Sequence, residues 1–361
     1  MRIGIPLIQG ELNGRRGWVA GFYYIRNCLN ALAMLPTEVV PNVTLFMPET
    51  FTETVIFPEY ADKAIWLNII RIPDQIISTP GNHADLEKQI NTHPCDIIFP
   101  LISLPPFTLS SPALGWIPDF QHKHRPDFFS EDEYRIRELM FGFIVGYCNK
   151  VVCSSQAVKV DLQNFYPNSP NKGIVLKFTS IIPEQYLTQT PEPVLRRLGL
   201  NRKYIYLPNQ FWIHKNHKIV FEAWKHLKDL GVDYLLVCTG SREDYRFPNY
   251  YQELETYIDE HDLHTNIRLL GFLSREEQIQ LYRGASAILQ PSLFEGWSTS
   301  IEDAKSLGKA LIVSDIPVHR EQCGSEAHYF DKNNAEALAI MLQQVWNSLP
   351  DGYDADAETK G

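Results

Sequence analysis

Ala287-Ile288-Leu289-Gln290 runs directly into Pro291-Ser292-Leu293-Phe294-Glu295-Gly296-Trp297-Ser298-Thr299-Ser300-Ile301-Glu302-Asp303-Ala304-Lys305-Ser306-Leu307-Gly308. A short apolar run, a loop holding a carboxylate and a glycine, and then a helical stretch read as a buried strand, a turn and a helix. Loop amides and a helix N-terminus suit an anionic or hydroxyl-rich ligand. In doubly wound sheets ligands sit at such carboxyl ends of strands. Glu295 falls in the loop and Asp303 about one turn into the helix, on the ligand side.

The same grammar extends in both directions from this stretch. Tyr204–Leu207, Tyr234–Cys238, Ile267–Leu270 and Ala310–Ser314 read as further strands. Asn216–Leu230, Tyr250–Glu260, Arg275–Gly284, Ser300–Leu307 and Ala335–Trp346 read as helices. The first half repeats the alternation. Strands are expected at Ile3–Ile8, Val43–Met47, Ala64–Ile72, Asp96–Pro100, Trp116–Pro118, Lys150–Cys153 and Gly173–Lys177, with helices at Gly21–Leu35 and Phe129–Tyr147. Strands alternating with helices imply parallel sheets covered on both faces. A break rich in Pro, Asn and Ser near Tyr166–Leu200 separates the halves. The reading is therefore a first domain over residues 1–180, a linker over 181–200, a second domain over 201–350 and a loose acidic tail over 351–361.

Composition is that of an ordinary globular chain: 361 residues, 44% hydrophobic, 21% charged and a formal net charge of -10. That charge argues against a general nucleic-acid binder, which needs a basic face. It leaves room for a local cationic pocket and for a basic patch touching a membrane. The six cysteines form no CxxC pair, and several lie inside apolar runs, so they read as small buried residues in a reducing compartment. The N-terminus is too short and too soon polar for a signal peptide. No apolar run reaches the roughly 20 residues that a membrane span needs. A cytoplasmic protein is expected, with peripheral contact at the inner membrane surface left open.

Glu295…Asp303 resembles the Glu-x7-Glu element of the retaining GT-B-fold glycosyltransferases of the large family four, with Asp in the second place. The resemblance implies an α/β chain of two Rossmann-like domains whose parallel sheets face an interdomain cleft. It also implies that Glu295 holds donor-sugar hydroxyls and Asp303 the nucleotide ribose. Glu302 is the rival for the ribose, but neighbours on a helix diverge by about 100°, so both cannot point there. In Asn209-Gln210-Phe211-Trp212-Ile213-His214-Lys215-Asn216-His217-Lys218 the family places an Arg and a Lys on the donor diphosphate. Lys215 matches the Lys, while Gln210 stands in the Arg position and brings no charge. Leu269-Leu270-Gly271-Phe272-Leu273-Ser274 resembles the loop that clasps the base, with Gly271 for close approach and Phe272 as a wall. Ser274 to Glu277 also spells a capping box.

Gly240, at the end of a strand, and Gly296, Trp297, Ser298 and Thr299, in the acidic loop, complete the donor set expected from the second half. From the first half, Gly17 is the best match to the family's glycine-rich loop, although Gly10, Gly14 and Gly17 do not fit GxGxxG. Asp119 and His122, within Trp116–Pro126, fall where the family has its His-Asp segment, and are expected with His124 on the acceptor side. Ser155 reads as a helix cap. Ser314-Asp315-Ile316-Pro317-Val318-His319-Arg320-Glu321 is a familiar late segment of the family without a clear role.

The expected chemistry is retaining sugar transfer without a metal. Glu295, Lys215, Asp119 and His122 carry it, a nucleotide-diphosphate sugar is the co-substrate, and a glycan or lipid-linked sugar is the acceptor. Cell-surface polysaccharide synthesis is the family-level expectation. Asp354-Ala355-Asp356 lies in the tail and makes no credible DxD metal site. The rivals are a GT-B-like epimerase or phosphorylase, a sugar-binding protein without catalysis, and a degenerate transferase acting as a partner.

Overall fold

A computed structural model describes residues 1–7, 19–49, 66–73, 83–101 and 108–358. They form two units, Met1–Phe178 and Thr179–Gly361. The first contains strands β1 (Arg2–Pro6), β2 (Asn42–Pro48), β3 (Leu67–Ile72), β4 (Ile97–Leu101), β5 (Ala113–Ile117), β6 (Lys150–Cys153) and β7 (Gly173–Val175), in the order β3-β2-β1-β4-β5-β6-β7. The second contains β8 (Tyr204–Pro208), β9 (Leu235–Thr239), β10 (Ile267–Leu269), β11 (Ala287–Gln290), β12 (Leu311–Ser314) and β13 (Ala327–Phe330), in the order β10-β9-β8-β11-β12-β13. Every pairing described is parallel.

The strands lack polar alternation because both faces of each sheet are covered. In β8, Ile205 and Leu207 enter one core while Tyr204 and Tyr206 enter the other. In β9, Leu236 and Cys238 go one way, Leu235 and Val237 the other. The first unit repeats this: Val151 and Cys153 face one cluster and Val152 the opposite one, beside Trp116 stacked on Tyr24 at 3.8 Å. Five of the six cysteines are buried and Cys28 is half-buried. Burial pushes the Cys153 and Cys323 thiols up to about 12, so they act as small apolar side chains.

Helix starts follow their local chemistry. Ser155 accepts from the Val158 amide at 3.1 Å and opens the helix Gln156–Phe165. Ser274 and Glu277 form the expected capping box of α1 (Arg275–Gly284). The segments Pro317–Cys323 and Ala327–Phe330, not assigned from sequence, are a helix and an edge strand. No helix among the described residues is long and apolar enough to cross a membrane.

Two stretches differ from their reading as linker and loose tail. Ile182, Tyr186, Leu187, Leu195 and Leu198 pack against the second unit's core, and Leu200 is buried in it. The cause is Arg283, 1% exposed, which α1 carries into this layer. Its guanidinium donates to the carbonyls of Tyr186 (3.2 Å), Leu187 (3.3 Å) and Gln189. It also pairs with Glu358 at 2.5 Å and donates to the Tyr353 hydroxyl at 3.1 Å. A buried guanidinium needs these acceptors, so the tail is fastened to the second unit through Tyr353 and Glu358. Removing one partner of a buried pair costs about 3–5 kcal/mol. Truncation after Asp351 is therefore expected to lower unfolding free energy by about 3 kcal/mol, measured by urea denaturation; an unchanged midpoint would show that the tail adds nothing.

Candidate functional site

The strand order of the second unit reverses between β8 and β11: from β8 the chain runs outward to β9 and β10, and from β11 to β12 and β13. Loops leaving the carboxyl ends of such a pair diverge and open a crevice between them. Here they are Asn209–Asn216 and Pro291–Ser298, the two segments the sequence marked.

The two loops are bound to each other. The Leu293 amide donates to the His214 carbonyl at 2.8 Å. Asn216 takes a left-handed conformation (φ 58°) at the start of helix α2 (His217–Asp229). Its side-chain amide donates to the carbonyls of Pro291 (3.1 Å) and Lys332 (2.9 Å). Gly240 sits beneath the first loop, where a Cβ would lie 2.2 Å from the Asn209 carbonyl oxygen. Only glycine admits that approach.

Lys215 and Glu295 meet across this crevice, Nζ to Oε1 at 2.5 Å. Three donors converge on that same oxygen: Lys215 Nζ, Ser292 Oγ at 2.6 Å and Gln290 Nε2 at 3.1 Å. Oε2 takes none of them. Both side chains keep some exposure, 19% for Lys215 and 10% for Glu295. Gln290, fully buried at the end of β11, accepts from Asn209 Nδ2 at 2.6 Å and lies 3.0 Å from Ser298 Oγ. The result is an oriented carboxylate beside a fixed cation, on a scaffold of satisfied amides and hydroxyls.

Helix α3 (Pro317–Cys323) supplies the floor. His319 is fully buried, and its Nδ1 donates to the Ser314 carbonyl at 2.9 Å. Nε2 has no partner among the described residues. Burial pushes the imidazole down to about 4, with Glu295 opposing and Lys215 and Lys332 reinforcing the shift. Gln322, on the same helix, binds both Ser298 backbone groups (3.2 and 2.8 Å) and Glu302 at 2.7 Å.

Helix α4 (Thr299–Ser306) carries both acids considered for the ribose. Glu302 points to Gln322 and Lys305, and burial pushes its carboxyl up. Asp303 is 2% exposed and faces Arg275. Of the remaining expected donor residues, Gln210 is half-buried, Gly271 is left-handed (φ 71°) and Phe272 is 72% exposed. Gly296 and Ser298 are buried, Trp297 is half-buried and Thr299 begins α4.

In the first unit, Asp119 is half-buried and accepts from the Gln121 amide at 2.8 Å. His122, expected on the acceptor side, is instead 0% exposed and bonded to Glu138 at 2.7 Å. Burial lowers its pKa. An inward turn of the chain among Phe120, Phe141 and Tyr134 puts it there. His124 pairs with Asp161 at 2.8 Å. Gly17 lies outside the described residues. No cluster of metal-ligating side chains occurs among the described residues.

Residues 196–350 match the family model described as glycosyl transferases group 1. That stretch, a little under half of the chain, is similar to that family. The chain is similar in sequence to O-antigen chain mannosyltransferases. One is RfbU of Salmonella typhimurium, 25% identical over 235 residues, which are 64% of this chain and 60% of that protein. Another is O-antigen chain mannosyltransferase B of Escherichia coli, 24% identical over 198 residues, 54% and 44% of the two chains. The matched region thus spans about half of each relative's length. Among solved structures, a glycosyltransferase from Rickettsia africae superposes with TM-score 0.67 at 19% identity over 99% of this chain and 90% of that one. Anabaena HepE in complex with UDP and glucose gives 0.68 at 15% identity over 96% and 90%. Likeness at this identity shows the fold, GT-B, built of two Rossmann-like units.

Sequence reasoning missed the support of Glu295: Asn209, Gln290, Ser292, His319 and Gln322. One signal was available, the polar Gln290 closing a buried apolar strand. His319 yields a prediction. Its folded pKa of about 4 lies below the ordinary 6.5, so as pH falls the unfolded chain binds the proton first. Its contribution is complete above about pH 6.5 and is lost as pH drops toward 4. At about 1.4 kcal/mol per unit the loss is on the order of 3 kcal/mol. His319→Gln is expected to flatten the pH dependence of unfolding free energy in that window; an unchanged slope would refute the assignment. His217, held down to about 3, contributes in the same direction and remains in the variant.

Proposed function

We propose that this protein is a retaining, metal-independent glycosyltransferase. It moves a hexosyl group from a nucleotide-diphosphate sugar to a glycan or lipid-linked acceptor in cell-surface polysaccharide synthesis, at the cytoplasmic side of a membrane. The observation that carries the reading is the Lys215–Glu295 pair at the β8/β11 switch point. The O-antigen mannosyltransferase relatives and the HepE complexes with UDP, glucose and UDP-glucose support the substrate class.

The pair is suited to an exchange of partners. A donor diphosphate entering the crevice takes over Lys215 as its cation, and the Glu295 carboxylate then turns from Lys215 to sugar hydroxyls. Each charge leaves one partner for another, so neither is left buried and unpaired, which would be costly. In the reaction the bond from anomeric carbon to phosphate oxygen breaks as charge gathers on the leaving diphosphate. Lys215 and the loop amides stabilise that charge without reorganising. The acceptor hydroxyl attacks from the same face, forms the new C–O bond and gives its proton to the departing diphosphate. Glu295, with Oε1 still held by Ser292 and Gln290, orients the sugar and forms no covalent bond to it.

The test uses purified protein, a panel of sugar nucleotides and a lipid-linked saccharide acceptor, with and without EDTA. Turnover is expected to survive EDTA and to give a product of unchanged anomeric configuration by NMR. Lys215→Ala is expected to lower kcat by about 10²–10³, the cost of removing one preorganised donor to developing negative charge. Glu295→Ala is expected to leave nucleoside diphosphate affinity within about threefold while abolishing sugar-dependent turnover. Inversion of configuration, or loss of activity in EDTA, would refute the mechanism. Reaction with free phosphate alone would favour a phosphorylase.

A further inference from the structure

A second lysine bridges the two loops of the crevice. Lys332 follows the edge strand β13 and is half-buried. Its backbone carbonyl accepts from the side-chain amide of Asn216, the residue after Lys215, at 2.9 Å. Its ammonium reaches the other wall and donates to the carbonyl of Leu293, two residues before Glu295, at 3.1 Å. The Leu293 amide in turn donates to the carbonyl of His214, the residue before Lys215. Lys332 is thus tied to both loops at the place where Lys215 and Glu295 meet. The buried His319 ring beneath them feels Glu295, Lys215 and Lys332 together.

The two lysines differ in their partners. Lys215 is matched by Glu295. Among the described residues no carboxylate forms an ion pair with Lys332. Asp331, its neighbour in the chain, accepts from the Asn333 amide at 2.9 Å. The Leu293 carbonyl takes one of the three ammonium N–H groups and leaves two. A neutral amide would tie down that carbonyl as well and would cost less to desolvate. A half-buried cation without a counter-charge, set beside the acid that orients the sugar, suits an anion that arrives with the sugar. A diphosphate carries more than one negative charge, and Gln210 brings none to offset it.

We propose that Lys332 is a second cation for the donor diphosphate, acting with Lys215 at the junction of the two loops. This deepens the transferase reading and rests on it. Lys215 turns to the diphosphate by leaving Glu295, whereas Lys332 offers the N–H groups that Leu293 does not use. Its tether beside Glu295 assigns it to the phosphate bonded to the sugar, the β-phosphate. The leaving nucleotide then meets two fixed cations where its charge gathers.

Lys332→Gln separates charge from tether, because it keeps an N–H donor for the Leu293 carbonyl and removes the cation. The experiment is calorimetric titration of the intact protein and this variant, in EDTA, with UDP, GDP and ADP and with the monophosphate of each diphosphate that binds. Lys332→Gln is expected to raise the diphosphate Kd about tenfold and the monophosphate Kd less than about threefold. The diphosphate gap is expected to narrow at high salt. Lys332→Arg, which restores a cation, is expected to recover most of the loss. A diphosphate Kd unchanged within about twofold in Lys332→Gln would overturn the proposal. So would equal weakening of diphosphate and monophosphate, or a loss that arginine does not recover. Should the glutamine variant fail to fold, Lys332→Met, which keeps the apolar stem, carries the same comparison. Diphosphate binding that neither substitution alters would sink this inference and leave the transferase reading standing, whereas absence of binding by every nucleotide would remove both.

Discussion

The buried amide of Gln290 is the constraint on which the C-terminal site depends. A primary amide placed at the end of a strand, without exposure, must find partners on both its oxygen and its nitrogen. Its oxygen is met by Asn209, from the loop after β8, and its nitrogen reaches Ser292, Ser298 and Glu295 in the loop after β11. Satisfying one side chain therefore fixes both walls of the crevice and aims the carboxylate between them. Lys215 then has a defined place to put its charge. An apolar residue at position 290 would leave the Asn209 amide without this acceptor and Glu295 held by Ser292 and Lys215 alone.

The architecture was readable because its signals are periodic and local. Apolar runs of strand length alternating with amphipathic helices recur through both halves, and double-sided burial is what makes those runs continuous. Tyr250–Glu260, Arg275–Gly284 and Ala287–Gln290 have the ends expected of them. Pro317–Cys323 and Ala327–Phe330 escaped because a seven-residue helix and a half-exposed edge strand carry too few periods to register. Lys215 and Glu295 could be singled out by motif. Their contact could not, since a separation of 80 residues is closed only by the sheet.

Charge partners were the least legible feature. Asp303 and Arg275 are joined through tertiary packing, and nothing in either local sequence announces the other. The same holds for His122, whose place among aromatic rings and Glu138 depends on how Glu131–Tyr147 lies against the strand end. A polar residue in a motif indicates that something polar is needed nearby. Whether that need is met by ligand or by protein is decided by neighbours distant in sequence.

The clasp around Arg283 has a topological meaning. One guanidinium grips both the segment by which the chain enters the second unit, Tyr186–Gln189, and the segment by which it leaves, Tyr353–Glu358. Entry and exit thus lie side by side, and the unit is nearly a closed ring of chain. Such a ring can be cut at a surface loop and rejoined at the clasp with its interior unchanged.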